Sequence, residues 1–206
     1  MKKEMGEFAK EMIGNKTNFV FIGEAGSGKS EIAINFAKYL KQLGDKPVHF
    51  FDMDMTKPLF RSRDVIDEIE ALGIEFHHEE QFYDAPVLVG GVNIHLKNDE
   101  CYVVMDVGGD HIGARAIGGY APKINKDNTM VYYVLNAFRP WSGDIDHIDG
   151  TLGMILGTSH IHVENVHMVN NPNTGIATTG EEFLDGLKRM EEIVCPYKPL
   201  DFACVK

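Results

Sequence analysis

Gly23, Gly28, Lys29 and Ser30 fall at the spacing G-x-x-x-x-G-K-[ST] within the run GEAGSGKS, and those residue types at that spacing handle phosphate. Glycines let the backbone curl until successive N–H groups point inward at phosphate oxygens, and a helix that follows adds its partial positive charge. Lys29 would reach the β- and γ-phosphates of a nucleotide, and the Ser30 hydroxyl would ligate Mg²⁺. The nucleotide-binding run is therefore expected to comprise Gly23, Glu24, Ala25, Gly26, Ser27, Gly28, Lys29, Ser30 and Glu31. Its flanks suit the motif: apolar Phe19-Val20-Phe21-Ile22 before it and Ile32-Ala33-Ile34-Asn35-Phe36-Ala37 after it.

Carboxylates at strand ends would complete such a site, because ligands of parallel α/β sheets sit at the carboxyl ends of the strands. Asp106 follows the apolar run Cys101–Met105 and is placed to hold the metal shared with Ser30. Asp106-Val107-Gly108-Gly109 has the form D-x-x-G, in which a glycine N–H senses the γ-phosphate. Asp52 and Asp54 stand two apart, so they share one face if the strand persists that far. One would help bind metal and the other would orient the attacking nucleophile.

The elements that position these residues alternate between strand and helix. Strands are expected at Phe19–Ile22, Val48–Phe51, Ile74–Phe76, Cys101–Met105, Met130–Leu135 and Val163–Val169. Helices are expected at about Lys3–Ile13, after the glycine-rich loop as far as Gly44, and at Asp64–Leu72, Ile112–Tyr120 and Asp144–Leu156. A last helix starts at Thr179-Gly180-Glu181-Glu182 and runs to about Val194. Met55–Arg63 reads as a loop. Val87–Val89 and Val92–Leu96 fit either strand fragments or a helix, and the final PYKPLDFACVK fits a docked tail or an edge strand. Few hairpin signals interrupt the alternation, so the fold class is a three-layer α/β/α arrangement around a mainly parallel sheet.

With 206 residues, the chain is expected to form one domain over 1–206. A net charge of −11 argues against nucleic-acid or anionic-membrane partners. Three cysteines without a C-x-x-C suit a reducing compartment, and the N-terminus lacks the apolar core of a signal peptide, so a cytoplasmic location is expected. The nine histidines include His77-His78-Glu79-Glu80 and His160-Ile161-His162. Adjacent histidines face opposite ways and no paired cysteines accompany them, so they read as solvated loop or ordinary core.

The order GEAGSGKS, FFDMDMTKP, VVMDVGGD, VHMVNNPN resembles the CobQ/CobB/MinD/ParA group of P-loop ATPases, and the resemblance covers most of the chain. It implies ATP (or ADP) with Mg²⁺, Asp54 as the water-orienting aspartate beside catalytic Lys29, Asp52 and Asp106 by the metal with Ser30, and Gly109 in the second switch. It also puts Asn170 or Asn171 at the adenine edge, with Pro172 beside the base. Preference for ATP over GTP follows from the resemblance, since no N-K-x-D occurs. Many relatives carry a signature lysine just after the first P-loop glycine that reaches across a dimer. Glu24 stands there in this chain, and Arg61, Arg63, Arg115 and Arg139 are the candidate replacement cations.

The leading expectation is a MgATP switch acting on a second copy of itself or on a protein partner. A small-molecule kinase or an ATP-dependent ligase of the dethiobiotin synthetase type is the alternative. In that case Met55–Arg63, with Lys57 and two arginines, would bind an anionic acceptor. A nucleotide-binding module with little hydrolysis is the third reading.

Overall fold

The near-continuous apolar runs assemble into a seven-stranded sheet of order β3-β2-β4-β1-β5-β6-β7, in which every strand pair is parallel. The strands are β1 Asn18–Ile22, β2 Val48–Met53, β3 Glu75–His77, β4 Tyr102–Val107, β5 Thr129–Leu135, β6 Val166–Asn170 and β7 Leu200–Ala203. This computed structural model describes residues 10–54, 65–78 and 90–204. Strands β1, β2, β4 and β5 are buried at every position. Apart from Asn18, His49, Asp52, Asp106 and Thr129, their residues are apolar, because helices cover both faces.

Those helices are α1 Lys29–Leu43, α2 Ile66–Ala71, α3 Val92–His95, α4 His111–Gly118, α5 Ala121–Ile124, α6 Ile145–Ser159 and α7 Gly180–Val194. Side-chain alternation along the strands divides the core into two layers. Phe19, Phe21, Phe50, Val104 and Tyr132 pack against Ala33, Ala37 and Leu40 of α1. On the other face, Val20, Phe51, Val103, Met105 and Tyr133 pack against Ala114 and Ile117 of α4, Ile148 and Ile155 of α6, and Met190 of α7.

Some boundaries differ from those expected. Ile112–Tyr120 is not one helix: α4 ends at Gly118, and a new turn, α5, starts at Ala121 with Pro122 in its first turn. Proline suits such a start, where its missing N–H leaves no bond unmade. The strand expected from Val163 begins at Val166, because residues Val163–Asn165 form a 3₁₀ turn. Asp144 caps α6 instead of joining it, accepting a bond from the His147 N–H at 2.9 Å. The ambiguous Val92–Leu96 is a helical turn, and the C-terminal run supplies edge strand β7. Thr179 and Glu182 form a capping box at the start of α7, as the sequence T-G-E-E suggests. Only residues 10–13 of the first expected helix are described, and they are helical. The Met55–Arg63 loop, Asp64 and Val87–Val89 lie outside the described residues.

Candidate functional site

Strand β1 lies between β4 and β5, and the chain leaves its carboxyl end at Gly23. There φ is +139°, and an added Cβ would stand 2.5 Å from the Val134 carbonyl oxygen. Only glycine fits, so the loop is turned sharply over β5. Gly28 is the N-cap of the 15-residue α1, in the left-handed region and without a side-chain cap. The N-terminus of α1 therefore starts at the loop without a side-chain cap, and a helix N-terminus suits an anion. Lys29 and Ser30 follow at once, both buried. The Ser27 hydroxyl is also buried and has no hydrogen-bond partner among the described residues, as expected of a donor held for a ligand. The cradle, the uncapped helix and this hydroxyl fit a nucleotide phosphate chain.

The aspartates meet this loop from the neighbouring strands. Asp52 and Asp106 are register partners in β2 and β4, both buried. Alternation turns them to the α1 side, with Phe50 and Val104. Two buried carboxylates on the face that carries Ser30 are hard oxygen donors suited to Mg²⁺. Asp54 lies just beyond the end of β2, so it does not continue the ladder. Its backbone N–H donates to Asp52 Oδ1 at 3.0 Å, and its carboxylate flanks Gly108, where a Cβ would come within 3.2 Å of Asp54 Oδ1.

Gly109 is pressed onto the loop itself. A Cβ there would stand 2.6 Å from the Gly23 carbonyl oxygen, 2.7 Å from Ala25 N and 2.9 Å from the Glu24 carbonyl carbon. The D-x-x-G segment and the P-loop therefore touch backbone to backbone. Asp110 caps α4 immediately afterwards, accepting from the Ile112 and Gly113 N–H groups, and Gly113 leaves room for the Gly108 backbone.

The two asparagines at the end of β6 diverge. Asn170, the last strand residue, is fully buried and donates to the Gly186 carbonyl at 3.3 Å. Asn171, the first residue beyond the strand, donates to the Ser27 carbonyl at 2.8 Å and so braces the P-loop. Pro172 packs on Gly186, where a Cβ would stand 2.5 Å from the proline Cβ. Asn136, at the end of β5, reaches the Asn173 carbonyl at 2.9 Å and accepts from the Phe138 N–H at 3.0 Å. Asn136 was not anticipated as a site residue, although its place just past an apolar strand is the signal that singled out Asp106.

Of the candidate cations, Arg139 lies at the loop, its Nε donating to the Gly26 carbonyl at 3.0 Å. Arg115 is exposed on α4, and Arg61 and Arg63 fall outside the described residues. Glu24 is half-buried. Burial first, and the Glu24 charge second, push the Tyr133 hydroxyl above its ordinary pKa, so this phenol stays protonated beneath the loop.

Residues 19–193 match the profile of the CobQ/CobB/MinD/ParA nucleotide binding domain. Chloroplast FtsY from Physcomitrella patens is similar in structure, with a TM-score of 0.55 at 15% identity over 93% of this chain and 59% of that one. The signal recognition particle receptor FtsY from Elizabethkingia anophelis, in complex with GDP, gives a TM-score of 0.54 at 15% identity over 93% of this chain and 57% of that one. A further structure of that receptor gives 0.51 at 15% identity, covering 98% and 67% of the two chains. At such identity the likeness is one of fold. This chain spans less than two thirds of the first two FtsY chains. A search of curated proteins finds no match.

Proposed function

The chain belongs to the CobQ/CobB/MinD/ParA family of nucleotide-binding domains, and from that premise we propose that it is a MgATP-dependent switch. Its hydrolysis state would control contact with a second copy of itself or with a protein partner. The observation that carries this reading is the seat of Gly109 on the backbone of Gly23, Glu24 and Ala25. A segment whose glycine is seated on the backbone of the phosphate loop would shift when that loop adjusts to its ligand, and α4, capped by Asp110, follows directly. Order changes of this kind turn the presence of a γ-phosphate into a change of surface.

In this account Lys29 and the α1 N-terminus bind the phosphates. Ser30, Asp52 and Asp106 hold Mg²⁺, which when bound would neutralise charge on the β- and γ-phosphates. Asp54, beside Gly108, orients the attacking water. Gly109 offers its N–H to the γ-phosphate, Asn171 keeps Ser27 in place, and Asn170, Asn171 and Pro172 border the base. Arg139 supplies the cation that Glu24 cannot. ATP is favoured over GTP by the family and by the missing N-K-x-D. The GDP in the Elizabethkingia anophelis structure belongs to that receptor.

The test is ATP and GTP turnover measured against protein concentration, with and without carboxylate and hydroxyl metabolites. Slow ATP turnover that rises per protomer with concentration or on adding a protein partner, and ignores the metabolites, supports the switch. Consumption of ATP only when a metabolite is present would replace it with group transfer.

A further inference from the structure

Three imidazoles and a thiol converge on the side of the sheet away from α1. His49 lies near the start of β2, and the alternation that turns Asp52 toward α1 turns His49 to the opposite face, with Phe51. His77, at the end of β3, stacks on Phe51 with ring centroids 4.4 Å apart and planes 12° apart. His95 closes the turn α3, its ring centroid 3.9 Å from that of His49. Cys101 is buried just before β4. Ligand atoms of His49, His95 and Cys101 lie within 4.8 Å of one another, as do those of His49, Glu75 and His77.

His49 belongs to both sets, and its two ring nitrogens divide the work. Nδ1 is 3.1 Å from His77 Nε2 and 3.4 Å from Glu75 Oε2, so Nε2 is the nitrogen that would serve an ion shared with His95 and Cys101. His95 Nδ1 is buried without a hydrogen-bond partner among the described residues. A merely packed core seldom leaves such an atom unmatched.

We propose that His49, His95 and Cys101 bind a transition-metal ion of the zinc class, with Glu75 and His77 orienting the His49 ring from behind. Imidazole and thiolate donors select zinc-like ions over Mg²⁺, and a carboxylate behind a ligating histidine fixes its tautomer. Zn–N bonds of about 2.0 Å and Zn–S bonds of about 2.3 Å set tetrahedral ligand atoms roughly 3.3–3.7 Å apart. Rotamer adjustments of about 1 Å therefore close this cluster on an ion, with solvent in the fourth position. His49 and Asp52 are three residues apart on β2, about 10 Å along the strand, and they face opposite sides of the sheet. The site is thus separate from the nucleotide and its Mg²⁺. The ion would tie the β2–β3 edge to α3 and to the start of β4.

Zn²⁺ and Co²⁺ titrations of the full chain, stripped with chelator, test the assignment. One equivalent should bind, and Co²⁺ should show a thiolate-to-cobalt charge-transfer band with tetrahedral d–d absorption. Cys101→Ser should remove the band and weaken Zn²⁺ binding more than about 100-fold, while Glu75→Gln should keep the band and weaken binding about 10–100-fold. Far-UV circular dichroism checks that each variant folds. If Cys101→Ser does not fold, His95→Gln carries the same expectation of more than about 100-fold loss. The assignment fails if the wild-type chain binds no stoichiometric ion, or if the folded Cys101→Ser or His95→Gln variant retains wild-type affinity.

Discussion

Replacing Gly109 with alanine places a methyl group 2.6 Å from the Gly23 carbonyl oxygen, 2.7 Å from Ala25 N and 2.9 Å from the Glu24 carbonyl carbon. All three atoms belong to backbone, so no side chain can swing away. Restoring ordinary contact of about 3.4 Å requires the D-x-x-G segment and the P-loop to separate by roughly 0.5–1 Å, and overpacking of this kind costs about 1–3 kcal/mol. For a chain of this size that lowers Tm by roughly 2–12 °C. The functional effect should be larger, because a displacement of about 1 Å at a reacting centre slows chemistry about 100-fold. Turnover followed by phosphate release, with Tm by differential scanning fluorimetry, separates the two. Gly119→Ala is the control, since a Cβ there meets nothing within 4 Å and should leave both readings near wild type. Wild-type turnover in Gly109→Ala would show that this contact does not couple the segments.

Three further outcomes follow from the same geometry. Asn171→Ala removes the 2.8 Å bond to the Ser27 carbonyl; it should destabilise the protein by about 1–3 kcal/mol in urea unfolding and lower ATP affinity in calorimetry. Gly113→Ala drives a Cβ to 2.6 Å from the Gly108 Cα, so it should lose about 1–3 kcal/mol and reduce turnover by displacing the Gly108–Asp54 contact. Arg139→Ala should slow turnover about tenfold or more, with Arg139→Lys recovering only part, because lysine has no Nε–H to meet the Gly26 carbonyl while further donors remain for a ligand; steady-state kinetics on both variants decide this.

The local half of the site was legible in the sequence. The run from Phe19 to Ala37 holds strand, turn and helix start in one continuous signal, and α1 begins within it at Lys29. Asp106 could be placed because an apolar run ends on it. Asp54 was harder, since its relation to Asp52 depends on where β2 stops, and the strand ends at Met53. The divergence of Asn170 and Asn171 turns on the same kind of boundary at the end of β6. Gly113 is a weak helix former within Ile112–Tyr120, and its missing side chain makes room for Gly108, a tertiary demand that no local pattern carries. His49, His77, His95 and Cys101 are spread along the chain without ligand spacing. Strand pairing between β2 and β3 and the packing of α3 beneath them bring the four together. His77-His78 does split between faces, with His77 on Phe51 and His78 near Phe76, as alternation requires.

In the proposed site, the loop from Gly23 to Ser30 holds a nucleotide with Mg²⁺ between Ser30, Asp52 and Asp106. Calorimetric titration of ATP into the wild-type chain and into Lys29→Ala, each with Mg²⁺ and with chelator, addresses it most directly. One Mg²⁺-dependent ATP site per chain is expected in the wild type, and affinity lowered by about 100-fold or more in a folded Lys29→Ala, as loss of a buried charge-assisted contact implies. ATP bound by Lys29→Ala at wild-type affinity would contradict it.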